Sequence, residues 1–141
     1  VPAEEMKQEL ELRENEAFRH MIPLAPQAAD VLRVIRRLTG NSEYVFPSGR
    51  SMLDPMSENA ITTALRSMGY RLTAHGFRAT ARTLLDEVLE FRIDHIEAQL
   101  AHAVRDPLGR AYNRTKYLSQ RHEMMQTWAD YLDHIRRDPE S

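Results

Sequence analysis

Apolar residues recur at three- and four-residue intervals in four separate stretches of this chain, each closed off by glycine, proline or a capping residue. That pattern restricts most of the chain to short amphipathic helices sharing a core. Ala28, Val31, Leu32, Ile35 and Leu38 form the first stripe, with Pro26 suited to the first helical turn and Gly40 to the stop. Ser57 is placed to cap a second helix carrying Ala60, Ile61, Ala64, Leu65 and Met68 on its inner side, with Gly69 at its end. Thr73 caps a third, reaching about Val88, in which Phe77, Ala81, Leu84, Leu85 and Val88 are expected to bury. A shorter helix is expected from about Asp94 to Ala101. The final one, about Gln120 to Arg136, sets Met124, Met125, Trp128, Tyr131, Leu132 and Ile135 at packing intervals, which reads as core or docking surface.

The opening of the chain has a different pattern. A short extended segment around Met6 and Lys7, a charged connection from Glu9 to Glu16, and a second strand His20-Met21-Ile22-Pro23-Leu24 predict a hairpin with a long loop. Pro23 favours an edge or strand end. The expected fold class is α+β, mainly α-helical, with a small N-terminal β-hairpin or sheet followed by a helical bundle. A chain of 141 residues suits one domain, so residues 1–141 are read as a single unit. Its start at Val1 suggests a processed or excised piece.

Cysteine is absent, which excludes thiol catalysis, disulfide scaffolding and cysteine-based zinc sites. No apolar run approaches the roughly 18–20 residues of a membrane span and no secretory signal opens the chain, so a cytoplasmic location without membrane contact is expected. The net charge of -2 conceals a separation. Residues 1–30 carry three basic and seven acidic side chains, whereas Arg66 to Arg121 carry ten basic and six acidic. The tail from His122 has two basic and five acidic. The central basic stretch is suited to a phosphate backbone.

That stretch holds an ordered series of side chains fit for phosphate chemistry. His75 and Arg78, three apart, share one helical face. A guanidinium offers paired donors to non-bridging phosphate oxygens and stays charged throughout a reaction. The bland alternative for Arg78 is a surface ion pair with Asp86 or Glu87. His102 follows in Leu100-Ala101-His102, and Tyr112 in Ala111-Tyr112-Asn113-Arg114. Imidazoles donate hydrogen bonds or move protons near neutral pH. A phenol attacks only as its proton leaves and positive charge stabilises the phenolate. Tyr117 is the competing nucleophile; Tyr44, Tyr70 and Tyr131 fit packing better. His75, His95 and His102 match no short metal-ligand spacing, and neither metal nor cofactor is expected.

Taken together, these segments resemble the catalytic domain of the tyrosine recombinases, especially integrases of the P4 type. His75-Gly76-Phe77-Arg78 looks like the family's histidine-x-x-arginine box, Leu100-Ala101-His102 its second histidine motif, and Ala111-Tyr112-Asn113-Arg114 the nucleophile segment. Glu5-Met6-Lys7 and the His20–Leu24 stretch are similar to the hairpin bearing a catalytic lysine. Tyr44-Val45-Phe46-Pro47, Met56-Ser57-Glu58-Asn59 and Trp128-Ala129-Asp130-Tyr131-Leu132 also resemble the integrase subgroup. The resemblance implies site-specific DNA recombination through a 3'-phosphotyrosyl intermediate. Its implied roles are nucleophile for Tyr112, phosphate clamp for Arg78, general acid for Lys7, proton transfer for His75 and hydrogen bonding to phosphate for His102. The implied partners are double-stranded DNA attachment sites and other integrase protomers.

Two departures stand out. The family carries another arginine ahead of the lysine hairpin, and nothing upstream of Lys7 supplies it. Ala79 stands where many relatives place a histidine. The chain is therefore expected to be a C-terminal catalytic-domain fragment, lacking its N-terminal part and poorly active alone. The competing readings are a noncatalytic DNA-binding helical module and a protein-interaction domain using the final helix.

Overall fold

The computed structural model describes residues 20–101 and 117–138. Their helices, in chain order, are α1 (Pro26–Thr39), α2 (Ala60–Ser67), α3 (Ala74–Glu87), α4 (Ile93–Gln99) and α5 (Leu118–Arg137). The described residues fall into two compact units, one built from 20–25, 85–101 and 117–138 and the other from Pro26–Leu84.

The expected hairpin requires correction, because the described residues contain no strand or sheet. The segment around Met6 and Lys7 lies outside the described residues, but His20–Leu24 does not pair as a strand. Its polar groups are committed elsewhere: the His20 ring bonds the Gln99 carbonyl, and the Met21 carbonyl accepts from Arg121. Pro23 also removes an amide donor that a ladder would need. The described architecture is helical.

In the first unit, Leu85, Ile96 and Met124 form the buried centre, with Leu89, Phe91, Leu100, Met125 and Trp128 packed around it. This core joins the end of α3 to α4 and α5. Among the described residues of this unit, glycine does not make the turns. Glu90, Ala101 and Tyr117 all take positive φ (54°, 54° and 61°), at the approach to α4, the exit from it and the entry to α5. A left-handed conformation costs a side-chain-bearing residue roughly 1–2 kcal/mol, so surrounding contacts must hold these joints.

In the second unit, helix ends follow local chemistry. Thr73 Oγ1 accepts the Gly76 amide at 3.1 Å, capping α3 as the sequence predicts. Gly69, at φ 89°, ends α2 with the Gly69 amide on Arg66 O and the Tyr70 amide on Leu65 O, a Schellman arrangement. Gly40 follows α1 because a Cβ there would stand 2.5 Å from the Arg36 carbonyl oxygen. The N-cap of α2 is Asn59 rather than the expected Ser57. Between α1 and α2, Pro47 and Pro55 form an isolated antiparallel bridge. Flanking residues supply its bonds, Ser48 N–H to Asp54 O and Met56 N–H to Phe46 O, both 2.8 Å.

The apolar stripes are less buried than their spacing predicts. Leu32 and Ile35 are half-buried on α1, but Val31, Val34 and Leu38 form a neighbouring exposed strip. On α3, Leu85 is buried while Phe77 remains about half exposed, as does Val88 just past the helix end. No described helix is long and apolar enough to cross a membrane.

Candidate functional site

Two of the five candidate residues, His75 and Arg78, lie within the described chain. Both belong to α3, whose start is fixed by the Thr73 cap. His75 stands in the first turn and is exposed; Arg78 is one turn on and half-buried. Three-residue spacing brings their side chains to adjoining positions on the helix. The positive end of the helix dipole lies at the same end. Together they can hold an anionic group, with Arg78 as the paired donor and His75 as the movable proton. The concavity of about 350 Å³ beside α1, lined by residues including Leu32, Arg36, Thr39 and Tyr44, contains neither of them.

Lys7, His102 and Tyr112 lie outside the described residues. What is described are the two ends of the chain that joins His102 to Tyr112. At one end, α4 finishes at Gln99, and Leu100 and left-handed Ala101 lead directly to His102. His20 Nε2 donates to the Gln99 carbonyl at 3.0 Å, satisfying one of the carbonyls left open by the helix end. Arg121 Nε donates to Gln99 Oε1 at 2.9 Å, and an Arg121 terminal nitrogen donates to the Met21 carbonyl. Arg121 is fully buried and His20 nearly so. Burial lowers the Arg121 pKa from its ordinary value.

At the other end, Tyr117 returns to the first turn of the same helix. Its hydroxyl bonds the Asp94 side chain, and its ring lies 4.6 Å from that of buried His95, centroid to centroid. Asp94 also receives Arg92 Nε at 3.0 Å and a terminal nitrogen at 2.8 Å, and the His95 amide at 3.1 Å. Burial alone would raise the Asp94 carboxyl. Hydrogen bonds from Arg92 and Tyr117, with the charges of Arg92 and His95, outweigh it and hold the group below the usual aspartate range.

Thus α4, only seven residues long, anchors the chain just before His102 at its C-terminus and the chain just after Lys116 at its N-terminus. Tyr117 has a structural task at this site. Sequence reasoning overlooked His20, Gln99 and Arg121. The available signal was Arg121 itself: it stands three residues before Met124 and seven before Trp128, so a cation lies in phase with the core face. His95 likewise has a role no motif reveals, as the ring partner of Tyr117.

The chain is 41% identical over 119 residues to the integrase of Enterobacteria phage P4, a match covering 81% of this chain and 27% of that protein. It is 43% identical over 118 residues to the prophage integrase IntZ of Escherichia coli (strain K12), covering 82% and 29%. Against the integrase of Shigella phage Sf6 the identity is 38% over 117 residues, covering 81% and 30%. The chain thus spans less than a third of the length of these curated relatives. No family model matches it. No solved structure matches it.

Proposed function

Because the chain belongs to the phage-integrase (tyrosine recombinase) family, we propose that it is part of the catalytic apparatus of a site-specific DNA recombinase. The observation that carries this reading is 36–43% identity to integrases over about 80% of the chain. In the proposed reaction, the Tyr112 hydroxyl oxygen attacks a DNA phosphorus and forms a 3'-phosphotyrosyl bond. The bond to the 5' oxygen breaks, and Lys7 supplies the proton that makes it a 5'-hydroxyl. Arg78 holds the non-bridging oxygens, His102 donates to them, and His75 assists proton transfer. Attack by a second 5'-hydroxyl reverses the step on a new partner strand. The phosphodiester's energy is kept in the covalent bond, so the chemistry calls for no nucleotide.

We assign residues 1–141 to the C-terminal catalytic portion of such an enzyme, working on double-stranded attachment sites with further protomers. The second clamp arginine would come from sequence ahead of Lys7. Without it the chain alone should be poorly active, since losing one electrostatic donor costs roughly 3–4 kcal/mol of transition-state stabilisation.

The test uses the full-length protein and a nicked suicide duplex carrying a half-site from the boundary of the DNA element that encodes it. The expected result is a denaturant-resistant protein–DNA adduct that maps to Tyr112 and disappears in Tyr112→Phe while DNA affinity is kept. Absence of any adduct from wild-type protein bound to that half-site would refute the recombinase reading. Mapping to Tyr117 would transfer the nucleophile's role.

A further inference from the structure

A fully buried guanidinium is an unusual way to fill a helix-packing position. Arg121 lies on the same face of α5 as Met124, and both are completely inaccessible to solvent. If filling space were the whole task, an apolar side chain of similar length would serve as well, because burying a charge carries a desolvation cost that hydrophobic replacements avoid. An apolar side chain would lack directed donors, and Arg121 uses its donors on two separate segments. Its Nε bonds the Gln99 side chain at 2.9 Å, and a terminal nitrogen bonds the Met21 carbonyl. Gln99 is held a second time, through its main-chain carbonyl, by His20 at 3.0 Å. A carbonyl can only accept, so this bond fixes the proton on His20 Nε2.

The three side chains meet at the last residue of α4. Beyond Gln99 stand only Leu100 and Ala101, the latter at φ 54°, before the chain reaches His102. A left-handed alanine is maintained by its neighbours rather than by its own preference. The direction in which the chain leaves α4 therefore depends on how firmly Gln99 is held.

We propose that Arg121 is a positioning residue of the recombination chemistry: by gripping Gln99 and Met21 it holds the C-terminal end of α4, three residues ahead of His102 in the chain. It touches neither DNA nor the reacting atoms. This inference rests on the assignment of His102 as a phosphate ligand made above. It adds a residue that belongs to none of the sequence boxes and lies beyond the nucleophile in the chain.

The experiment compares the full-length wild-type protein with Arg121→Met, Arg121→Lys, Gln99→Leu, His102→Ala and the double variant Arg121→Met/His102→Ala. The probe is the same nicked half-site duplex, and each protein is assayed for half-site affinity, thermal midpoint and single-turnover adduct formation. Arg121→Met should keep affinity within about twofold yet form adduct roughly tenfold to a hundredfold more slowly, the scale of a small misplacement of a reacting group. Arg121→Lys, which cannot span both acceptors with a planar fork, should restore little of the rate. In the His102→Ala background, Arg121→Met should cause no further loss, whereas a merely structural role would add its full effect. If Arg121→Met fails to fold, Gln99→Leu removes the acceptor and carries the same expectation. Wild-type rates in Arg121→Met or Gln99→Leu, or additive losses in the double variant, would overturn the proposal and leave the recombinase reading standing. A wild-type protein that binds the half-site without forming adduct would overturn both.

Discussion

Replacing Tyr117 by phenylalanine removes one oxygen and leaves the ring that lies against His95. The lost interaction is the hydrogen bond to Asp94. A bond to a charged acceptor is worth about 1.5–3 kcal/mol when well shielded. Here the carboxylate retains two bonds from Arg92 and one from the His95 amide, so no stranded charge results. The Asp94 side chain is also 27% exposed, which lets water replace part of what is lost. The expected cost is therefore about 1 kcal/mol, a fall in thermal midpoint of roughly 4 °C. A pH dependence follows from the same bond. Asp94 titrates below the ordinary aspartate range in the folded protein. Its contribution is complete above the unfolded-state pKa and disappears as pH falls through the lower, folded-state value. The gap between wild type and Tyr117→Phe, measured by denaturant unfolding across an acid series, should be full at neutral pH and narrow across that window. A gap absent at pH 7, or constant down through the window, would refute the hydrogen bond to an ionised Asp94.

Other expectations are equally direct. Ile96→Ala empties a site that is 1% exposed at the centre of the core and should cost about 2–5 kcal/mol by denaturant unfolding; a loss under 1 would mean the core is not as packed as described. Gly69→Ala forces a side chain into φ 89° and should lower stability by about 1–2 kcal/mol, although no atom stands within 4 Å of the new Cβ. Leu38→Lys, at a position 78% exposed, should change stability by no more than about 0.5 kcal/mol; a larger fall would show that the outer strip of α1 is covered in solution.

Much of the helical framework was legible because its signals are local. The Thr73 cap, the Gly40 and Gly69 stops and the period of the final helix are contained within a few residues each. Burial was less legible, since periodicity names a face and not what covers it. Val31 and Leu38 fit the α1 stripe but lie on its exposed shoulder. The strand expected at His20–Leu24 failed for a non-local reason. Its partners, Gln99 and Arg121, are 79 and 100 residues away in the chain. At the candidate site, His75 and Arg78 were readable as a pair because one helix carries both. The ties holding Gln99 and Tyr117 were not, because each joins elements distant in sequence or depends on a backbone conformation that the residue type does not favour.

The brevity of α4 bears on the order in which the protein assembles. Seven residues are too few for a helix to persist alone in water, and the left-handed Glu90 and Ala101 on either side discourage it from forming early. Ile96 finds its core partner Met124 on α5, as Gln99 finds Arg121. A ribosome delivers α4 before α5, so α4 must wait for chain that has not yet been made. Docking of α5 is then the event that fixes the C-terminal end of α4. Nascent chains halted before α5 should show this region open to proteolysis.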